Sequence, residues 1–288
     1  MEDVLDGKGA TYLLSNYHHN LDKCVELLHL RFTQHNWNDI IVISDYLHKI
    51  SWDIYESRYK TGEASLDAER PLIFYYGFSY LAKATALQKL GLFDEAREYI
   101  LKYSELGWFS GLDATGLDEV ERFRFFAKAN MYTNDLLSGK IDVLQEYVQF
   151  LENNDEEVLP GLVTIMEAAN LHLLNVDDVL HKFQTTIDEL SSLESETNKT
   201  HYFRFLYHLA IYYSNNKRFE DAVRQVLVFL TTANMIENGT NFKKFIVLFE
   251  ALRQYASNEQ IEKYQNLFKE LIKDEKIISF DGYDIRSH

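Results

Sequence analysis

The feature that most constrains the fold is a ten-residue pattern that occurs twice. The stretches GLFDEAREYI (91–100) and KRFEDAVRQV (217–226) each contain an aromatic residue, two acidic residues, an alanine and, four residues later, an aliphatic residue. A small residue lets two helices approach closely, and acidic residues stabilise the first turn of a helix. In a chain with only two prolines, the repeated pattern predicts a helical hairpin that recurs along the sequence.

Weaker copies of this pattern fill the rest of the chain. The positions that we take as equivalent are Ile40, Ala96, Leu144, Val179, Ala222 and Ile261. They lie 35 to 56 residues apart, whereas a tetratricopeptide repeat has a period of about 34 residues, so we expect longer helices or inserted loops. The pattern predicts an all-α protein, a right-handed α-solenoid of about six tetratricopeptide-like hairpins. We assign residues 20–273 to this single domain, with extensions at 1–19 and 274–288.

The two prolines predict where helices begin, because proline is tolerated in the first helical turn. Pro71 predicts one start, and Pro160 predicts another after an acidic loop at residues 153–157. The polar stretches 57–69 and 192–200 predict the longest loops.

The charge of the chain narrows its partners. The formal net charge is −16, and the acidic residues are spread over the whole length. Because nucleic-acid affinity comes from Lys and Arg side chains that neutralise phosphates, we expect no direct nucleic-acid binding by this chain. The apolar runs are too short to span a bilayer, and Cys24 is the single cysteine. We therefore expect a cytoplasmic protein that does not enter a membrane.

Motifs of enzyme chemistry are absent from the sequence. It contains no glycine-rich phosphate loop, no nucleophile elbow, no Cys-x-x-Cys pair and no His-Glu-x-x-His. We predict a protein that is not an enzyme, with no catalytic residue, no metal ligand and no cofactor. Aromatic residues are concentrated instead at 72–81 and 202–207, and we expect their rings to fill the seams between helices, with some facing a concave groove.

Candidate ligand-binding residues follow from the hairpin pattern, because the first helix of each pair lines the concave side of such a solenoid. The polar residues that we select on these helices are Asn130, Asn134, Glu167, Asn170, Arg204 and Tyr207. An asparagine amide offers both a donor and an acceptor to a peptide backbone. Arg204 is suited to a carboxylate, and Tyr207 to an apolar side chain. These residues predict a groove for a short peptide or a partner protein.

The block from RPLIFYYG to ELGWF (70–109) resembles the helical repeat region of Bacillus regulators that combine a helix-turn-helix with tetratricopeptide repeats. FLYHLAIYYSNNKRFEDAV (205–223) extends the resemblance, which covers roughly residues 20–273. Such regulators are similar to the RRNPP group of quorum-sensing receptors. The resemblance implies a protein that binds a short secreted peptide and changes DNA binding, or a partner's phosphorylation, in response. The DNA-reading domain of the family has no counterpart before Asn20. We expect either a fragment or natural short form that lacks this domain, or a protein that acts like the group members that control proteins directly; the former fits the sequence better.

We therefore predict a peptide- or protein-binding regulatory module, the sensor part of a quorum-sensing-type transcriptional regulator. Two alternatives stay open: a constitutive protein-protein interaction scaffold, and a phosphatase-like regulator of a response regulator. The last would need an amide side chain that orients water, and neither Gln88 nor Gln145 is placed well enough to be selected. A homodimer is also left open.

Overall fold

A computed structural model describes residues 20–59, 67–189, 196–232 and 239–274 of the chain. Every regular element within these ranges is helical, so the predicted all-α class is confirmed. The extension at 1–19 and residues 275–288 lie outside the described residues. The right-handed sense of the solenoid stays a prediction.

Thirteen α-helices lie in the described ranges, and we number them in chain order. They are α1 (Leu21–Thr33), α2 (Trp37–Ile54), α3 (Leu72–Lys89), α4 (Phe93–Ser104), α5 (Ala114–Leu137), α6 (Leu144–Glu152), α7 (Asp155–His172), α8 (Asp177–Lys182), α9 (Gln184–Glu189), α10 (Glu196–Asn215), α11 (Phe219–Thr232), α12 (Gly239–Leu252) and α13 (Asn258–Asp274). A π-helical turn (Tyr55–Tyr59) continues α2, and 3₁₀ turns (Ile141–Val143 and Arg253–Tyr255) precede α6 and follow α12.

Consecutive helices form six pairs within the described ranges, and each pair turns where the sequence pattern places the turn. The pairs are α1–α2, α3–α4, α5–α6, α7–α8, α10–α11 and α12–α13. The second helix of the fourth pair is broken at Phe183, after which α9 continues the chain. The predicted small residues are at close crossings, because Ala96 and Ala222 are both 0% exposed.

Five of the six turns share one backbone design. Each contains a residue in the left-handed conformation, with φ between 54° and 95°: His35, Gly91, Gly139, Leu173 and Lys217. In each turn the N–H of the next residue donates to the carbonyl oxygen five residues earlier, with N···O distances of 2.8–3.1 Å. This bond is the signature of a Schellman motif, which satisfies carbonyl groups at a helix end. Gly91 and Lys217, the first residues of the two repeated stretches, therefore close equivalent helices.

The prediction that Pro160 begins a helix is wrong. Helix α7 begins at Asp155, and Pro160 lies inside it. The stretch that we expected to be an acidic loop supplies Asp155, Glu156 and Glu157 to the first turn, where the helix dipole favours negative charge. Because Pro160 is still near the N-terminal end of α7, its missing N–H removes one backbone hydrogen bond without breaking the helix.

The chain divides into two compact units, unit 1 ending at Tyr147 and unit 2 beginning at Val148. In unit 1 the first helices α1 and α5 each contact the first helix α3, and α3 also packs against both α2 and α4. In unit 2 the first helices α7 and α10 pack together, and α11 packs against α10, α12 and α13. First helices thus lie beside first helices in both units, as in stacked helical hairpins.

Candidate functional site

The six residues selected from the sequence occupy three helices. Asn130 and Asn134 are on α5 in unit 1, Glu167 and Asn170 are on α7, and Arg204 and Tyr207 are on α10. The last four lie in unit 2, where α7 and α10 pack side by side.

Asn130 and Asn134 are engaged inside unit 1. The Asn134 side chain is 1% exposed, and its Nδ2 donates to the Phe93 carbonyl oxygen at 3.0 Å. The Asn130 Nδ2 donates to the Tyr103 hydroxyl at 2.8 Å. Gln88 joins both residues, because its Nε2 donates to the Asn130 carbonyl oxygen at 3.2 Å and to the Asn134 Oδ1 at 3.3 Å. These amides therefore tie α5 to the α3–α4 hairpin, a structural task that we did not foresee.

Glu167, Asn170 and Arg204 lie together at the seam between α7 and α10. The Arg204 Nη2 is 3.7 Å from the Glu167 Oε2. One turn further along both helices, the Asn170 Nδ2 donates to the His208 carbonyl oxygen at 2.8 Å. The Asn170 Oδ1 accepts from the Asn215 Nδ2 at 3.3 Å. The seam is thus lined by partly exposed polar groups that already hold each other in place.

Tyr207 connects this seam to the next first helix, α12. Its ring packs edge-on against Phe245, with centroids 5.6 Å apart. The Lys244 ammonium lies 5.9 Å from the centre of the Tyr207 ring. The three first helices of unit 2 therefore contribute to one surface.

We define the first-helix face as the residues that these three helices place at i, i+3, i+4 and i+7, a spacing that keeps side chains on one side of a helix. It consists of Glu167, Asn170 and Leu171 on α7; Arg204, Tyr207, His208 and Ile211 on α10; and Lys244, Val247, Leu248 and Ala251 on α12. All eleven are partly or fully exposed.

The apolar members of this face were missed at the sequence level. Leu171 is 61% exposed and Val247 is 69% exposed, although large apolar side chains usually prefer burial. The signal was present in the spacing, since Leu171 follows Glu167 by four residues and Asn170 by one. Selecting polar residues alone left these aliphatic neighbours out.

The charge of the face differs from that of the whole chain. Arg204 and Lys244 supply two positive charges, and Glu167 supplies one negative charge. Burial lowers the pKa of the nearby His201, and the charge of Arg204 lowers it further, so this histidine is neutral at pH 7. A chain with net charge −16 therefore presents a face whose own charge is positive.

The aromatic stretch at 72–81 serves mainly to fill seams, as expected. Tyr75 and Tyr76 are buried, and Phe74 stacks on Phe78 with centroids 5.4 Å apart. The residues that the structure describes contain no group of three metal-ligating side chains. Among the described helices, none combines the length and apolar character that a bilayer crossing needs.

No protein-family model, no curated protein and no solved structure matches the chain. The resemblance to the Bacillus regulators stays a prediction.

Proposed function

We propose that this chain is a binding module that takes up a short peptide, or an exposed segment of a partner protein, on the first-helix face. The observation that carries the proposal is the alignment of three neighbouring stripes that mix exposed aliphatic residues with polar groups. Exposed apolar surface rimmed by polar residues is typical of interaction sites.

The chemistry of the face indicates which peptides it would prefer. Leu171, Ile211 and Val247 offer apolar contacts, and the Asn170 amide can pair with a peptide backbone. Arg204 and Lys244 favour an acidic side chain or a free C-terminal carboxylate. We expect a mainly aliphatic segment that carries one or two negative charges.

A regulatory role extends this proposal. The resemblance stated above supports it, and the packing of α7, α10 and α12 through side chains of the face supplies a physical route. A ligand that contacts all three helices stabilises the helix arrangement that it binds more tightly. It therefore shifts the population of the protein toward that arrangement. A constitutive scaffold would bind on the same face without such a shift.

The test is a selection of random heptapeptides with free C-termini against the full chain, followed by calorimetry with the enriched peptides. The variants Leu171→Ala and Arg204→Ala each remove one type of contact. Arg224→Ala on α11 is the matched control, because Arg224 is also exposed and forms an ion pair, with Asp221. We expect the two face variants to weaken binding by about 1–2 kcal/mol each, with the control unchanged.

Failure has two distinct forms. If no heptapeptide is enriched, the binding function is wrong. If enriched peptides bind wild type and both face variants equally, the chain binds peptides at another surface.

A further inference from the structure

Unit 2 contains a cavity at a place that unit 1 fills with its own side chains. The repeat alignment relates the two places. Positions in α3 and α4 correspond to those 126 residues later in α10 and α11, as Ala84 does to Ala210 and Ala96 to Ala222. Ile40 and Val179 relate α2 to α8 and α9 with an offset of 139 residues.

In unit 1, the groove over α3 between α2 and α4 is occupied by rings in mutual contact. The Tyr80 hydroxyl lies 2.6 Å from the His48 Nε2, and their rings are 4.6 Å apart. Tyr99 approaches from α4, with its centroid 5.9 Å from that of Tyr80. The Lys83 ammonium lies 4.5 Å from the centre of the Tyr99 ring, so three rings and this side chain pack together over α3.

In unit 2, aliphatic and amide side chains occupy the corresponding positions. Leu206 corresponds to Tyr80, Ile187 to His48, Gln225 to Tyr99 and Leu209 to Lys83. All four line a cavity of about 290 Å³, and Tyr202, the counterpart of Tyr76, lines it as well. Three rings of unit 1 are thus replaced by aliphatic and amide side chains, whereas Tyr213, which also lines the cavity, takes the place of Leu87.

We propose that this cavity binds a neutral aromatic small molecule of the phenol or indole class. This site is separate from the first-helix face, and the proposal does not depend on it. The volume of the cavity is large enough for a single aromatic ring, because an apolar cavity of about 150 Å³ already holds benzene. The occupant takes the place that the Tyr80 phenol has in unit 1.

The polar groups of the lining narrow the ligand class. The Gln225 amide can pair with a hydroxyl or an indole N–H. The Gln184 Nε2 donates to the Asp188 Oδ1 at 2.7 Å, so Gln184 offers its Oε1 as an acceptor. Asp188, which is exposed and also lines the cavity, disfavours an anionic ligand by repulsion. Leu206 and Leu209 are almost fully buried and offer the apolar contacts that an aromatic ring requires.

The test uses the full chain with p-cresol and indole as probes, observed by ligand-detected NMR and calorimetry. We expect saturable binding with a Kd of roughly 10 μM to 1 mM, typical of ligands with about ten heavy atoms. The anionic probe p-toluate and the saturated probe 4-methylcyclohexanol should bind about tenfold more weakly than p-cresol does, or more weakly still.

Two variants fill the cavity from different sides. Leu206→Tyr restores the residue found at the equivalent position of unit 1, and Gln225→Tyr fills from a half-exposed position that is less critical for folding. Each should reduce p-cresol affinity by about tenfold or more, while the circular dichroism spectrum stays that of wild type. Leu117→Tyr, at a 54% exposed position on α5, is the control and should bind as wild type does.

Three results would overturn the proposal. They are the absence of saturable p-cresol and indole binding at millimolar concentration, wild-type affinity in a folded Leu206→Tyr or Gln225→Tyr variant, and equal affinity for p-cresol and 4-methylcyclohexanol. If Leu206→Tyr does not fold, Gln225→Tyr decides the question alone.

Discussion

The role of Asn134 can be tested by a change in stability that is confined to unit 1. Replacement by alanine removes the bond from its Nδ2 to the Phe93 carbonyl oxygen and the bond that its Oδ1 accepts from Gln88. Each neutral hydrogen bond contributes about 1 kcal/mol net, and a buried partner left without a bond costs somewhat more. We therefore expect Asn134→Ala to lower the free energy of unfolding of unit 1 by about 2–3 kcal/mol.

Tryptophan fluorescence reports on this unit selectively, because the three tryptophans of the chain, Trp37, Trp52 and Trp108, all belong to unit 1. With a urea dependence of about 2 kcal/mol per molar, the expected loss moves the fluorescence midpoint down by about 1 M. Asn38→Ala is the matched control, since Asn38 is an exposed asparagine on α2 in the same unit, and its midpoint should change by about 0.2 M or less.

The reasoning is refuted if Asn134→Ala shifts the fluorescence midpoint no more than Asn38→Ala does. Such a result would mean that the amide bonds around Gln88 add nothing to the packing of α5.

Three further predictions concern the turns, the helix crossings and one partly buried histidine. Leu173→Gly and Lys217→Gly should each raise the free energy of unfolding by about 0.5–1 kcal/mol in thermal melts followed by circular dichroism, because glycine adopts positive φ without a steric cost; a loss of stability in both would contradict the turn design. Ala96→Leu and Ala222→Leu should each cost about 1–3 kcal/mol by overpacking a crossing, and neutral behaviour of both in urea titrations would show that the crossings are not tight. Burial lowers the pKa of His48, which faces Tyr76, Tyr80, Asp45, Lys83 and Lys102. The folded state therefore binds a proton at His48 less tightly than the unfolded state does. The contribution of His48 to stability is thus full above a pH of about 6.5 and is lost as the pH falls below that value. His48→Gln should flatten that part of the pH dependence of the fluorescence midpoint between pH 7.5 and 5.5, and an unchanged pH profile would exclude the histidine as its source.

The positions of the turns could be predicted from sequence because the forces that set them are local. Gly91 adopts φ of 77° and Ala96 is buried five residues later, and both requirements appear directly in the repeated pattern. The start of α7 could not be predicted from Pro160, because the acidic residues before it form a first turn of their own and leave the proline inside the helix.

The candidate site was harder to predict, because it depends on which side of a helix a residue occupies. Asn130 and Asn134 follow Phe123 and Ala127 at helical spacing, and both of these are buried, so the amides lie on the buried side of α5. The same periodicity, applied to Glu167 and Arg204, would have added Leu171 and Ile211 to the face. The cavity over α10 depends on volume differences between distant repeats, which become visible only when the two units are compared position by position.

The turn design also bears on how the chain reaches its native state. In each of the five turns, the backbone bond that closes the helix joins residues only five positions apart, so closure of a hairpin requires no search over distant parts of the chain. Contacts of short sequence separation form with little loss of loop entropy, and proteins rich in them fold in microseconds to milliseconds. We therefore expect the turns to form early in folding, and the stacking of one helical pair on the next to follow as the slower step.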